Sequence, residues 1–150
     1  MIRPAESRDL DDVVGLMAEF RDWWGKPDPA AAEIRRVVEW LLDDPATDYL
    51  LAFHGNEAVG VCQLRYRMSV WTGSEDCWLE DLYVAERGRG NGLGRGLIEA
   101  AADRAASRGC RRMELDVNEQ NEEALALYLS AGFTAEPKPP GRTLFISRPL

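Results

Sequence analysis

Residues 80–98 read Glu80-Asp81-Leu82-Tyr83-Val84-Ala85-Glu86-Arg87-Gly88-Arg89-Gly90-Asn91-Gly92-Leu93-Gly94-Arg95-Gly96-Leu97-Ile98. The stretch joins three kinds of local signal. Trp78 to Val84 has the composition of a strand. A glycine-rich turn follows at 88–92, and Leu93, Leu97, Ile98 and Ala101 then recur at helical spacing, predicting a helix from about Leu93 to Ser107 that Gly109 closes. Glycines let a backbone approach a ligand closely, because no Cβ fills the gap. The N–H groups that open a helix, helped by its dipole, favour phosphate oxygens, and Arg89 and Arg95 can add charge-assisted bonds. Strand, turn and helix together predict a pyrophosphate site. It is not a dinucleotide fingerprint, since Gly90-x-Gly92 would need glycine where Arg95 stands, and no Gly-Lys-Ser/Thr supplies a nucleotide P-loop. Asn91-Gly92 is also a favoured hairpin dipeptide, but the residues after it follow a helical period.

Working outward, Ile2-Arg3-Pro4-Ala5 reads as a short first strand. Ser7 or Asp9 caps a helix whose apolar face is Leu10, Val13, Val14, Met17 and Phe20. A second helix, about Ala31 to Leu42, turns Ile34, Val37, Val38 and Leu41 inward and ends at Asp43-Asp44-Pro45. Tyr49–Phe53 and Ala58–Tyr66 form a hairpin about the turn at residues 54–57. Met113–Val117 predicts a strand, Asn121–Ala131 a helix stopped by Gly132, and Phe133–Ala135 and Thr143–Ile146 two last strands around a proline-rich loop. The order gives a mixed α/β (α+β) sheet with helices on its faces and no βαβ repeat.

The 150 residues suit one domain spanning 1–150, with no linker or repeat. A net charge of −8 disfavours general nucleic-acid binding, and residues 87–95 stand out with a local +3. A small cationic site in an acidic chain suits an anionic ligand and a cationic second one. No apolar run is long enough for a membrane span, and the charged N-terminal residues lead us to expect a cytoplasmic protein that does not bind membranes. Cys62, Cys77 and Cys110 are odd in number and unpaired in spacing, and His54 stands alone, so neither a disulfide framework nor a metal site is expected.

A second segment narrows the reading. Asn121-Glu122-Glu123-Ala124-Leu125-Ala126-Leu127-Tyr128-Leu129-Ser130-Ala131-Gly132-Phe133 places Asn121 and Tyr128 nearly two helical turns apart, on one face. With the glycine-rich turn, this segment resembles the GNAT N-acetyltransferase superfamily. Its cofactor motif is Arg or Gln, two residues, Gly, one residue, then Gly or Ala, and its helix reads N-x-x-A-x-x-L-Y-x-x-x-G-F. Arg89, Gly92 and Gly94 fit the first, as do Arg87, Gly90 and Gly92. The Arg89 register is preferred because it puts Leu97-Ile98 where the family has paired helix apolars.

The resemblance implies a mostly antiparallel sheet of about six or seven strands flanked by about four helices. It also implies an acetyl-CoA cosubstrate, a small-molecule amine acceptor and, because dimers are frequent in the family, a homodimer. By resemblance, Arg89, Gly90, Asn91, Gly92, Leu93, Gly94 and Arg95 hold the pyrophosphate, and the backbone of Leu82, Tyr83 and Val84 holds the pantetheine arm and polarises the thioester. Asn121 contacts the cofactor, and Tyr128 protonates the leaving thiolate.

Attack by an amine needs a proton acceptor. On a regular strand Glu80 and Asp81 face opposite sides, an inference that a bulge would blur. Leu79-Glu80-Asp81-Leu82 resembles a segment of polyamine-acetylating members whose glutamate is a proposed base. Glu80 is therefore the first choice and Asp81 the second. In this family the first helices and the loop before the central strand shape the acceptor pocket. Here those regions hold Trp23, Trp24, Trp40, Trp71 and Trp78 beside Asp28, Glu33, Glu75 and Asp76, although Trp40 reads as core and the acids as a solvated face. Arg108, Arg111 and Arg112 read as solvated too. The expected reaction is acetyl transfer from acetyl-CoA to a small cationic primary amine by direct attack in a ternary complex. The alternatives are a non-catalytic acyl-CoA sensor and a protein N-acetyltransferase.

Overall fold

A computed structural model describes residues 1–135 and 146–148. Among these the sheet has five strands in sequence order: β1 (Ile2–Pro4), β2 (Thr47–His54), β3 (Glu57–Ser69), β4 (Ser74–Val84) and β5 (Met113–Glu114). The first three pairings are antiparallel and β4–β5 is parallel. Apolar runs such as Tyr49–Phe53 bury alternate residues on opposite faces, as strands covered on both sides do.

Helices α1 (Leu10–Trp23) and α2 (Ala31–Asp43) cover one face, where Val13, Leu16, Ile34, Val38 and Leu41 meet Tyr49, Leu51, Phe53, Val61 and Tyr83. Helices α3 (Leu93–Ser107) and α4 (Glu122–Ser130) cover the other, where Leu97, Ile98, Ala101 and Tyr128 meet Leu50, Cys62, Leu64, Cys77 and Leu79. The glycine stops act as expected: Gly109 and Gly132 follow α3 and α4 at φ +83° and +92°. Asn121 caps α4, its side-chain oxygen accepting from Ala124 N at 3.3 Å.

Two features of β4 position the site. The ladder to β3 slips by one residue: Leu64 faces Leu79, but Gln63 faces Asp81, so Glu80 is extra. Leu79 and Leu82, an odd step apart, both join the core under α3 and α4. Their neighbours Glu80 and Asp81 therefore both project from the opposite face. The bulge thus corrects the expectation that the two carboxylates diverge. The second feature is a wedge. β5 pairs with β4 only at Cys77–Met113 and Trp78–Glu114, after which the two chains part. Residues 115–117, expected to continue the strand, have no ladder partner there and are irregular.

Other expectations change as well. Five strands are fewer than six or seven: Phe133–Ala135 forms no strand, and Thr143, Leu144 and Phe145 lie outside the described residues. α2 packs through the narrow stripe Ile34, Val38 and Leu41, which leaves Val37 42% and Trp40 65% exposed, so Trp40 is not core. Arg108 and Arg112 are not simply solvated. Arg108 pairs with Glu75 and lies over the Tyr66 ring, while Arg112 holds buried Asp76. Ser7 and Asp9 do not cap α1 through their side chains. The Asp9 carboxylate instead accepts from Arg3 and from Glu6 N, and the Arg3 guanidinium holds it down at about 2.

Candidate active site

The glycine-rich turn sits at the open end of the wedge. Gly90 and Gly92 take φ +76° and +72°, a region L side chains rarely adopt, and a Cβ at either would meet nothing within 4 Å. Asn91 ties the turn together, its amide nitrogen donating to the carbonyls of Gly88 (3.3 Å) and Arg89 (3.1 Å). Gly92 is the N-cap of α3 and offers no side-chain cap, and the first intrahelical bond is Gly96 N to Gly92 O. The N–H groups of Leu93, Gly94 and Arg95 thus have no hydrogen-bond partner among the described residues. Unpaired donors, a helix dipole and an empty approach are what a diphosphate requires.

The arginines divide the work. Arg87 is committed to structure, bridging Glu19 on α1 and Glu57 at the β2–β3 turn, and these acids push its pKa up. Arg89 makes no ion pair among the described residues. Its Nε donates to Val84 O at 3.1 Å, and its guanidinium lies 5.8 Å from the Trp23 ring. A phosphate-binding arginine must have charge to spare, which favours the register through Arg89. The Arg95 side chain turns away, to Glu99 and to Ser130 at the end of α4, and brings only its backbone N–H to the turn.

Within the wedge, the outer edge of β4 from Leu79 to Val84 has no ladder partner among the described residues. Ala85 N bonds Val59 O on β3, so by the alternation of an antiparallel ladder the amides of Leu82 and Val84 point outward and that of Tyr83 points to β3. Tyr128 rises from α4 with its ring edge on Phe133, centroids 5.7 Å apart. It is buried, and burial, then Cys62, Asp81 and Asp116, push its phenol up to about 12. Burial also pushes the Asp81 carboxyl up, to about 6, and the neighbouring charges of Glu80 and Asp116 act in the same direction. Glu80 is exposed. Tyr128 and Asp81 therefore share one electrostatic neighbourhood. Asn121 spends its side-chain oxygen on the helix cap, which leaves its amide nitrogen as the group that can meet a ligand.

The tryptophans do not form one lining. Trp23 and Trp24 join Phe20 and Tyr83 in an aromatic cluster at the end of α1. A cleft of about 650 Å³ lies beside it, between Glu19, Asp22, Trp23, Tyr83, Glu86 and Arg87. Trp71 is 91% exposed beyond the other end of β4, where Glu75 and Asp76 are already paired with arginines. Glu33 caps α2 by accepting from Ala30 N. Sequence reasoning passed over Asp116 and the buried pair Tyr49–Gln63. A glutamine inside the apolar run Val59–Leu64 was the available signal for that pair.

The sequence model of the Acetyltransferase (GNAT) family matches residues 13–133. The chain belongs to this family. It is an acetyl-CoA-dependent N-acetyltransferase. Its relatives include the thialysine N-epsilon-acetyltransferase of Sus scrofa, 36% identical over 88% of this chain and 82% of that one. The aminoglycoside N(6')-acetyltransferase type 1 of Klebsiella aerogenes is 28% identical over 89% of both chains. A crystal structure from Arthrobacter sp. FB24, assigned to the acetyltransferases, superposes with a TM-score of 0.87 at 30% identity, covering 100% of this chain and 96% of that one. Among the described residues no helix is long and apolar enough to cross a membrane.

Proposed function

We propose that this GNAT acetyltransferase modifies the primary amine of a small organic cation by direct attack, with Asp81 as the proton acceptor beside Glu80. The observation that carries the reading is the bulge. It turns both carboxylates to one face and leaves Asp81 half-buried at about 6, a carboxylate that is ionised at neutral pH yet more basic than usual. The charge on Glu80 attracts an ammonium, and Asp81 takes the proton that the amine must lose before it can attack. Acetyl-CoA supplies the acetyl thioester. The amides after Gly92, together with Arg89, suit its diphosphate, and the outward amides of Leu82 and Val84 suit its pantetheine arm and carbonyl.

Tyr128 suits the sulfur. At about 12 its phenol lies above an alkyl thiol near ~8.5, so complete proton transfer to a thiolate runs uphill. It serves instead as a hydrogen-bond donor while charge develops. Direct attack is favoured over an acetyl-cysteine because burial raises all three thiols, Cys77 to about 12 and Cys62 further still.

The acidic, aromatic cleft by Trp23 supports a cationic acceptor, as does the Lys26 ammonium that already lies 4.3 Å from the Trp24 ring centre. The relatives named for thialysine and for aminoglycosides agree with that class. Thiol release from acetyl-CoA should be followed with polyamines, aminoglycosides, amino acids including thialysine, aryl amines and a peptide N-terminus. Rapid release with one cationic class is expected. Release only with the peptide, or none while acetyl-CoA binds, would replace this reading with a protein acceptor or a sensor.

The donor site carries its own prediction. Arg89→Ala should raise the KM for acetyl-CoA about tenfold, the worth of one charge-assisted contact, while kcat changes little. Steady-state kinetics checks this, and an unchanged KM would return the register to Arg87.

A further inference from the structure

Tyr83 stands two residues beyond Asp81 on β4, so it projects from the same face, toward α1, about 7 Å further along the strand. Its ring stacks on Phe20, centroids 5.2 Å apart, and the residue is 8% exposed. A phenol so deeply buried ordinarily finds a hydrogen-bond partner. The Tyr83 hydroxyl has none among the described residues. Of these residues only Arg112 holds a side-chain atom, Nε, that is both unpartnered and sealed from solvent, so the Tyr83 hydroxyl opens onto free space. That space is the cleft of about 650 Å³ whose wall Tyr83 shares with Glu19, Asp22, Trp23, Glu86 and Arg87. Burial and then Glu19 raise the phenol, Arg89 and Arg87 oppose them and Glu86 adds to them, so the hydroxyl is neutral and lies among the charges of that wall.

The charge balance of the cleft favours a cation. Arg87 is already matched by two carboxylates, Glu19 and Glu57, and Asp22 is matched by Arg21. Glu86 makes no ion pair among the described residues, so its charge is spare. Trp23 adds a ring face, and the rings of this cluster already take cations, Lys26 on Trp24 and Arg89 on Trp23. Arg89 works against a further cation until the diphosphate of acetyl-CoA balances it. We propose that Tyr83 is a specificity-determining residue: its hydroxyl, with the Glu86 carboxylate, anchors a second ammonium of the acceptor while the reacting amine lies at Asp81, so that the enzyme selects diamines over monoamines. The inference rests on the reading of the protein as an acetyltransferase of small cationic amines with Asp81 as its base. A phenol oxygen accepts from an ammonium N–H, and the charge makes that bond stronger than a neutral one. Asp81 and Tyr83 stand about 7 Å apart along the strand, a span that a short alkyl chain bridges. A monoamine leaves the hydroxyl to water and gains nothing from the cleft.

The test uses putrescine and butylamine, which share one carbon chain and differ in the second nitrogen. For the native chain, Tyr83→Phe and Glu86→Gln, kcat/KM is followed by thiol release from acetyl-CoA, and the Kd of each amine for the enzyme–CoA complex is measured by calorimetry. Phenylalanine keeps the stack on Phe20 and removes only the hydroxyl. The native chain should favour putrescine by about tenfold or more in both measures, and each variant should cut that preference, Tyr83→Phe by about tenfold. A merely structural role would lower both amines together and leave their ratio intact. An equal loss for the two amines in Tyr83→Phe, or equal binding of both by the native chain, would overturn the proposal. Failure of the wider reading is distinguishable. Absence of thiol release with either amine would sink acetyl transfer to this class, and turnover that survives Asp81→Asn would sink the base, while the two Kd values still report on Tyr83.

Discussion

Asp81→Asn should lower kcat by about 10²–10³-fold and abolish the acid limb expected of the native enzyme near pH 6. Asparagine fits the same space but cannot take a proton, so turnover would depend on the small fraction of acceptor amine that arrives already neutral. Raising the pH should therefore rescue the variant progressively, toward the pKa of the amine. The same change should stabilise the protein. The carboxyl of Asp81 goes from an ordinary 3.8 in the unfolded chain to about 6 in the fold. A group raised in this way contributes its full stability below the unfolded value and loses it as pH rises through the folded one. Above about pH 6 the native chain thus carries a buried charge that costs up to about 3 kcal/mol, less whatever solvent screens from a side chain that is not fully buried. Denaturant titrations should find Asp81→Asn more stable by about 1–3 kcal/mol at pH 8 and equal to native below about pH 4. An active variant with its acid limb intact would pass the role of base to Glu80 or to a water chain.

Tyr128→Phe tests the other end of the reaction. Its kcat should fall by about 10²-fold or more, while the Kd for acetyl-CoA, measured by calorimetry, stays within about twofold. The phenol is pushed up to about 12, so the native enzyme should show no alkaline loss of activity traceable to Tyr128 below about pH 10. Folding stability should scarcely change, because the ring still packs on Phe133 and the hydroxyl has no partner among the described residues. Unchanged turnover in this variant would take Tyr128 out of the chemistry altogether.

Much of this was legible in the residues because local and global signals agree. The glycines of the 88–94 turn, the apolar spacing after it and the segment from Asn121 to Phe133 each act within a few residues of chain, where sequence patterns are strongest. What escaped depends on pairing. Glu80 and Asp81 share a face only because β3 is one residue shorter across the bulge, a fact of register that neither strand carries alone. Val37 and Trp40 looked internal because periodicity marks an apolar stripe without saying how wide the partner surface is. Arg108 and Arg112 looked solvated because their acids, Glu75 and Asp76, lie more than thirty residues away in sequence. Tyr49 and Gln63 were invisible as a pair because their meeting depends on the register of β2 against β3.

The extra residue in β4 has a consequence at the level of the gene. Loss of the single codon for Glu80 would set Leu79, Asp81 and Leu82 in ordinary alternation, with every core side chain of the strand still pointing inward and every facing pair of the ladder kept. Such an allele would encode a tidier sheet in which Asp81 stands without its charged neighbour. Strand length, as much as residue identity, is thus the heritable variable that decides whether the proposed base keeps a second carboxylate at its side.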